Sequence, residues 1–182
     1  GNLSDTPAYT YQYRELNADG TVKSGSLEEK VSMLYGIKAA DWDVITIQQG
    51  STYSGVADSY SPYLTQIIEY VNANKTNKNA KIAWHTTWAY LDGSDALAER
   101  YNGMSQIQMY NAIIDAVQEQ VLPLDTIAFE IPAGTAIQNI RATSMGDNFN
   151  SDDIHLNTAG CYVAGLTWFA KLTGMSIDNI TY

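Results

Sequence analysis

The chain predicts one α/β domain built as a sandwich around a mainly parallel sheet. Three short β-branched or aromatic segments, 42–48, 81–88 and 125–131, are each followed by a helical stretch of roughly ten to seventeen residues. The first of them, Trp42-Asp43-Val44-Ile45-Thr46-Ile47-Gln48, is almost continuously apolar at its centre, as a parallel strand covered on both faces should be. With 182 residues, 45% of them apolar, there is material for one substantial core and no sign of disorder.

In chain order, residues 8–24 read as a β-hairpin. Tyr9, Tyr11 and Tyr13 alternate with polar residues, and Asn17-Ala18-Asp19-Gly20 supplies the turn before Thr21-Val22-Lys23. Ser26 with Glu29 three residues on is in capping-box register, so a helix is expected there, burying Leu27, Val31, Leu34, Ile37 and the stem of Lys38, with Gly36 weakening its end. After the 42–48 strand comes a polar loop, Gln49 to Gly55. A helix then starts near Ser61, with Pro62 as its first residue and Leu64, Ile67, Ile68 and Val71 as its stripe. The Asn-rich run 72–79 ends it.

Lys81 to Trp88 is the next strand, and Asp92-Gly93 lies in the loop after it. A long helix over about 105–121 is expected to bury Ile107, Tyr110, Ile113, Ile114 and Val117, and Pro123 closes it. Asp125 to Ile131 is the third strand, stopped by Pro132, with a short helix over 133–142. The last helix runs from about Thr158 to Leu172 and ends at Gly174. In such folds ligands gather at the carboxyl ends of the strands, which places the loops after Gln48, Thr86 and Ile131 on one rim. There are no internal repeats and no interdomain linker.

Composition excludes several classes. The net charge is −10, from twenty acids and ten bases, and no Lys/Arg cluster exists to neutralise a nucleic-acid backbone; Lys75, Lys78 and Lys81 are spread through a turn. The apolar runs fall short of a membrane span. Cys161 stands alone, which rules out an intrachain disulfide and a cysteine metal site, and its apolar neighbours suggest a buried, inert thiol. Thirteen Tyr and four Trp against three Phe suit wet clefts and sugar-binding surfaces, although residues at element boundaries account for many of them. No signal peptide is visible in a chain that opens on Gly1-Asn2. Location is left open, with export to the periplasm or exterior the expectation.

The chemistry concentrates in Asp152-Asp153-Ile154-His155-Leu156-Asn157, just before the last helix. A carboxylate three residues ahead of a histidine can turn back onto the ring, as in an acid–base relay, and Asn157 or Thr158 can cap the helix and fix the loop. Asp153 is the less favourable partner, with a solvent-exposed turn acid as its alternative. A metal site formed by His155 with Asp147, Asp152 and Asp153 is the rival, but their spacing matches no calcium-loop pattern; no metal and no cofactor are expected. Gln48, Gln49, Gly50 and Ser51 follow the first parallel strand. An amide N–H2 or the Gly50 N–H there is suited to an oxyanion, or equally to satisfying loop carbonyls. Ser51 and Ser54 lack a Gly-x-Ser-x-Gly elbow. His85, within Trp84-His85-Thr86-Thr87-Trp88, reads as a satisfied core or rim histidine.

Asp152-x-x-His155 and the glycine-bearing last helix together resemble the final block of the SGNH, or GDSL-like, hydrolases, in an uncharacterised bacterial branch. Residues 42–51, Thr87-Trp88-Ala89-Tyr90, residues 131–138 and residues 152–172 carry the likeness. The resemblance implies a flavodoxin-like three-layer α/β/α fold and a Ser-His-Asp esterase mechanism in which Asp152 orients His155. The family's oxyanion Asn is replaced by Gln48-Gln49-Gly50-Ser51, with Gln49 or Gln48 as the substitute donor. The opening strand with its nucleophilic serine has no counterpart: Gly1-Asn2-Leu3-Ser4 is faintly similar, but no strand precedes it. Val44–Gln48 then matches the family's third strand.

The expectation is therefore a chain lacking the amino-terminal part of its parent, carrying the His/Asp half of the site and inactive alone. The edge beside Val44–Ile47 would be filled by a second copy, a separate fragment or the hairpin. The parent is expected to be a serine esterase acting on small acyl esters, with acetylated carbohydrate suggested by the Tyr/Trp content alone. The alternative is a non-catalytic carbohydrate-binding or interaction module on the same fold.

Overall fold

The structure, a computed structural model, describes residues 6–178 and Ile180. The Gly1–Ser4 segment compared above with a nucleophile loop lies outside them. The chain forms two compact units, residues 1–45 with 63–80 and residues 46–62 with 81–182.

In the first unit, β1 (Gln12–Leu16) and β2 (Val22–Ser26) pair antiparallel, Gln12 opposite Ser26 and Leu16 opposite Val22. The turn is closed by Asp19, whose carboxylate accepts from the Thr21 N–H and hydroxyl. This ladder overrides the helix expected at Ser26. The i, i+3 Ser/Glu spacing is a purely local signal, whereas residues 22–26 satisfy their backbone groups across the hairpin, and Leu27 N–H extends the pairing to Tyr11 O. An isolated bridge joins Tyr9 to Val31. Only then does α1 (Met33–Lys38) begin, with Ser32 accepting from the Tyr35 N–H. Helix α2 (Tyr63–Asn74) starts one residue after Pro62, which precedes the helix instead of opening it. Ile37, Leu64, Ile68 and Val71 are buried here.

Among the described residues the parallel core is a three-stranded sheet in the order β3 (Val44–Ile47), β4 (Lys81–His85), β5 (Ile127–Ile131). Strands β4 and β5 run parallel, Ala83 opposite Phe129 and His85 opposite Ile131. Among the described residues strand β3 is an edge strand and its four residues are half-buried, so the expected cover on both faces is incomplete there. Strand β4 is the buried one: Ile82, Ala83, Trp84 and His85 all lie in the core.

The short helix α3 (Asp95–Arg100) was not expected, because six residues are too few to show a periodicity. Helix α4 (Gln106–Gln120) has a full capping box between Ser105 and Gln108. It buries Gln106, Met109, Ile113, Ala116 and Val117, while Ile107 sits one step round the helix and is 50% exposed. Helix α5 (Ala133–Arg141) and helix α6 (Thr158–Thr173) pack on each other, and α6 also packs on β5. Gly174 closes α6 in the left-handed conformation. Cys161 is exposed, not buried: its neighbour Gly160 is the residue facing Phe149 and Leu156, which turns position 161 outward.

Two glycines make opposite predictions. A Cβ on Gly134 would lie 1.9 Å from the Thr87 carbonyl oxygen, because α5 starts directly against the segment leaving β4. Gly165, inside α6, faces open space. Gly134→Ala is expected to destabilise by about 3 kcal/mol, and Gly165→Ala to stabilise by about 0.5–1 kcal/mol, as read from urea unfolding midpoints.

Candidate active site

The loop before α6 is a tight antiparallel turn. Asn150 bridges Leu156, the Ser151 N–H donates to His155 O at 2.8 Å, and the Asn157 N–H donates to Phe149 O at 2.9 Å. Asn157 caps α6, its Oδ1 accepting from the Gly160 N–H at 3.0 Å, while its amide N–H2 donates to Asn148 O at 2.8 Å.

Inside the turn Asp152 bonds three times. Its Oδ1 accepts from the backbone N–H groups of His155 at 2.6 Å and Ile154 at 2.8 Å, and its Oδ2 lies 2.8 Å from His155 Nδ1. The His155 backbone N–H, the His155 ring and the Ile154 N–H hold the Asp152 carboxyl down at about 2. Nδ1 is thereby occupied, and Nε2 is the nitrogen available for proton transfer. The His155 side chain is 74% exposed.

Asp153 turns the other way: its carboxylate accepts from the Ala96 N–H in the first turn of α3, and its carbonyl accepts from Leu91 N–H. Trp88 Nε1 donates to Ile154 O at 2.9 Å. The three acids weighed as a metal cluster therefore have separate partners, since Asp147 pairs with Arg141.

Arg141 is the hub beneath this turn, its side chain only 2% exposed. Its Nε lies 2.8 Å from Asp147 Oδ1, one terminal nitrogen donates to Ala89 O, and the other to Asn150 Oδ1. Burial pushes the guanidinium pKa down while Asp147 opposes this. Asp147 also accepts from Gln106 Nε2 at 2.7 Å and Asp92 N–H at 3.0 Å. Sequence reasoning passed over Arg141 and Gln106. The available signal was spacing: Arg141 lies four residues after the fully buried Ile137, on the same helix face.

The loop after β3 is brought to order differently. Gln48 Oε1 lies 2.5 Å from Nδ1 of buried His85. The Gln49 amide is fully engaged, donating to Ser59 O and Oγ and accepting the Gly50 N–H, so neither Gln49 nor Gly50 keeps a donor for an oxyanion. Ser51 Oγ accepts from Tyr90 and its carbonyl from Tyr101. Burial raises the Tyr90 phenol, but its contacts with Ser51 and the Arg100 guanidinium outweigh this and leave it below its ordinary value. Ser54 is buried and donates to Ser51 O. No serine hydroxyl among the described residues bonds the His155 ring.

Helices flank a mainly parallel sheet, and a carboxylate–histidine pair stands on the loop entering the last helix; the fold is of the SGNH, or GDSL-like, hydrolase type. The chain belongs to the family described as Domain of unknown function (DUF4886), whose model matches residues 2–182. It is similar to the crystal structure of a DUF4886 family protein from Bacteroides uniformis, with 34% identity and a TM-score of 0.80 over 94% of this chain. The chain spans 65% of the length of that protein. An SGNH-hydrolase candidate from Slackia heliotrinireducens shares the fold at 20% identity and a TM-score of 0.53, over 76% of this chain and 70% of the other. No curated protein matches the sequence.

The Asp152 bonds set a pH dependence. Its folded-state pKa lies below the ordinary 3.8, so the stabilisation it gives the turn is present above that value and is lost as pH falls from about 3.8 through about 2. NMR titration of the Asp152 carboxyl carbon should show a midpoint at about 2. In His155→Ala the midpoint should rise yet stay below 3.8, because the two backbone donors remain.

Proposed function

We propose that this chain carries the acid–base half of a serine ester hydrolase acting on small acyl esters. The observation supporting it is the Asp152 Oδ2–His155 Nδ1 bond at 2.8 Å, which leaves Nε2 as the base. A serine hydroxyl from outside the described residues attacks the acyl carbonyl and forms the new C–O bond while His155 Nε2 takes its proton. His155 returns that proton to the departing alcohol, and water releases the acyl group by the same sequence. Asp152 holds the ring and stabilises the imidazolium. Acetyl esters on carbohydrate are the substrate class we favour, supported by the Tyr- and Trp-rich composition, and export to the periplasm or exterior belongs to the same proposal.

The finer architecture is part of this reading: a three-layer α/β/α, flavodoxin-like sandwich in which a further strand pairs with the free edge of β3. Half-burial of Val44–Ile47 supports this. A second copy or a separate fragment would serve the same edge. The competing reading, a non-catalytic carbohydrate-binding or interaction module, draws on the exposure of His155.

The test is hydrolysis of 4-nitrophenyl acetate by the full-length protein and by the 182-residue chain. The full-length protein should turn over, losing at least about 10³-fold in kcat on His155→Ala, and the chain alone should remain at background. Turnover indifferent to His155→Ala, or an inert full-length protein that still binds acetylated oligosaccharide, would move the assignment to the binding module.

A further inference from the structure

We propose that His85 is a positioning residue that fixes the Gln48 side-chain amide as the donor to the acyl oxygen; this rests on the ester-hydrolase reading. Gln48 follows β3 directly and His85 is the last residue of β4, so both lie at the carboxyl end of adjacent strands. Of the polar groups in the 48–51 loop, the Gln49 amide and Gly50 N–H are already engaged, and Ser51 Oγ is held by Tyr90. Gln48 Nε2 has no partner among the described residues, and Gln48 is exposed. It is the amide in this loop able to offer two N–H bonds to a substrate.

An exposed glutamine samples many rotamers, and its preorganisation must come from elsewhere. His85 supplies it. The residue is 7% exposed, with the rings of Trp168 and Trp88 at 5.2 and 6.2 Å, and Ile131 opposite it in the sheet. Its Nδ1 lies 2.5 Å from Gln48 Oε1, while its Nε2 is buried without a hydrogen-bond partner among the described residues.

Two arrangements satisfy that contact. If Nδ1 carries the proton, it donates to Gln48 Oε1, the orphan Nε2 is a bare acceptor, and the Gln48 N–H2 faces outward. If Nε2 carries it, a buried N–H is stranded against indole rings, the rarer and costlier situation, and Gln48 would have to turn its N–H2 inward. The first arrangement therefore prevails. Desolvation by burial favours the uncharged ring, consistent with a fixed neutral donor. The same segment also reaches the base: Trp88, three residues on, donates to Ile154 O, next to His155.

The tautomer can be read on the 182-residue chain, which contains only two histidines, His85 and His155. Long-range 15N–1H spectra should show His85 protonated at Nδ1, with a slowly exchanging ring proton that Gln48→Leu exposes to exchange. An Nε2-protonated His85, or an Nδ1 proton untouched by Gln48→Leu, overturns the proposal. In the full-length protein, His85→Phe keeps a ring between the tryptophans but deletes the donor. It should lower kcat on 4-nitrophenyl acetate by roughly 10²-fold with KM nearly unchanged. His85→Asn, which restores an N–H near the Nδ1 position, should recover most of that loss. Gln48→Leu should match His85→Phe, and the double variant should be no worse than either. Turnover that needs His155 but is indifferent to Gln48→Leu defeats this inference and leaves the hydrolase reading standing. Turnover indifferent to His155→Ala, or none at all, defeats both.

Discussion

The buried pairing of Arg141 with Asp147 is the constraint on which the candidate site depends. A guanidinium 2% exposed needs polar partners, and here its terminal nitrogens donate to Ala89 O, to Gln138 Oε1 within the same helix and to Asn150 Oδ1, while Nε faces the Asp147 carboxylate at 2.8 Å. Asp147 in turn recruits Gln106 and the Asp92 N–H. The segment leaving β4, the start of α4, the end of α5 and the turn before α6 are thus tied to a single charge pair. Packing alone would position helices to a fraction of a turn; the directional bonds fix the register of the Asn150–Leu156 turn, and with it the Asp152–His155 pair.

Above this hub the turn is built for orientation more than for burial. Asp152 and His155 are both exposed, so their mutual attraction in water is weak, and what holds them is the backbone geometry that delivers two N–H groups to one carboxylate oxygen. The opposite arrangement holds at the end of β4, where His85 is enclosed and its Nδ1 lies 2.5 Å from Gln48 Oε1. One histidine is accessible and held by an acid, and the other is enclosed and holds an amide. In the proposed ester hydrolase the first would move the proton and the second would hold the fixed dipole.

Much of this was legible in the sequence, and the failures have particular causes. The three parallel strands and helices α4, α5 and α6 announced themselves through β-branched runs, caps and periodicity. Asp152 and His155 were visible because a three-residue spacing before a helix cap constrains geometry by itself. Ser26–Glu29 misled because a capping-box spacing carries no knowledge of a strand partner fourteen residues away, Gln12 in the hairpin. Cys161 misled because apolar neighbours in sequence are not neighbours in space. Arg141 stayed hidden because a basic residue in the last turn of a helix is ordinarily solvated, and only the acid folded back from position 147 makes burial tolerable. The engagement of Gln49 with Ser59, which leaves Gln48 as the free amide, depends on a turn that no pattern of residue types encodes.

Hydrogen exchange on Arg141→Met tests most directly whether the Arg141–Asp147 pair holds the site loop in place. In the unsubstituted protein the amides of Leu91, Ala96 and Asn157, which bond into the turn, should be protected alongside those of β4. Removing the guanidinium leaves Asp147 partly buried and unpaired, at a cost of about 3 kcal/mol. Those three amides should then lose roughly 10²-fold in protection, while the β1–β2 hairpin exchanges as before. Unchanged protection at Leu91, Ala96 and Asn157 in the variant, or exchange at unstructured rates already in the parent, would contradict the account.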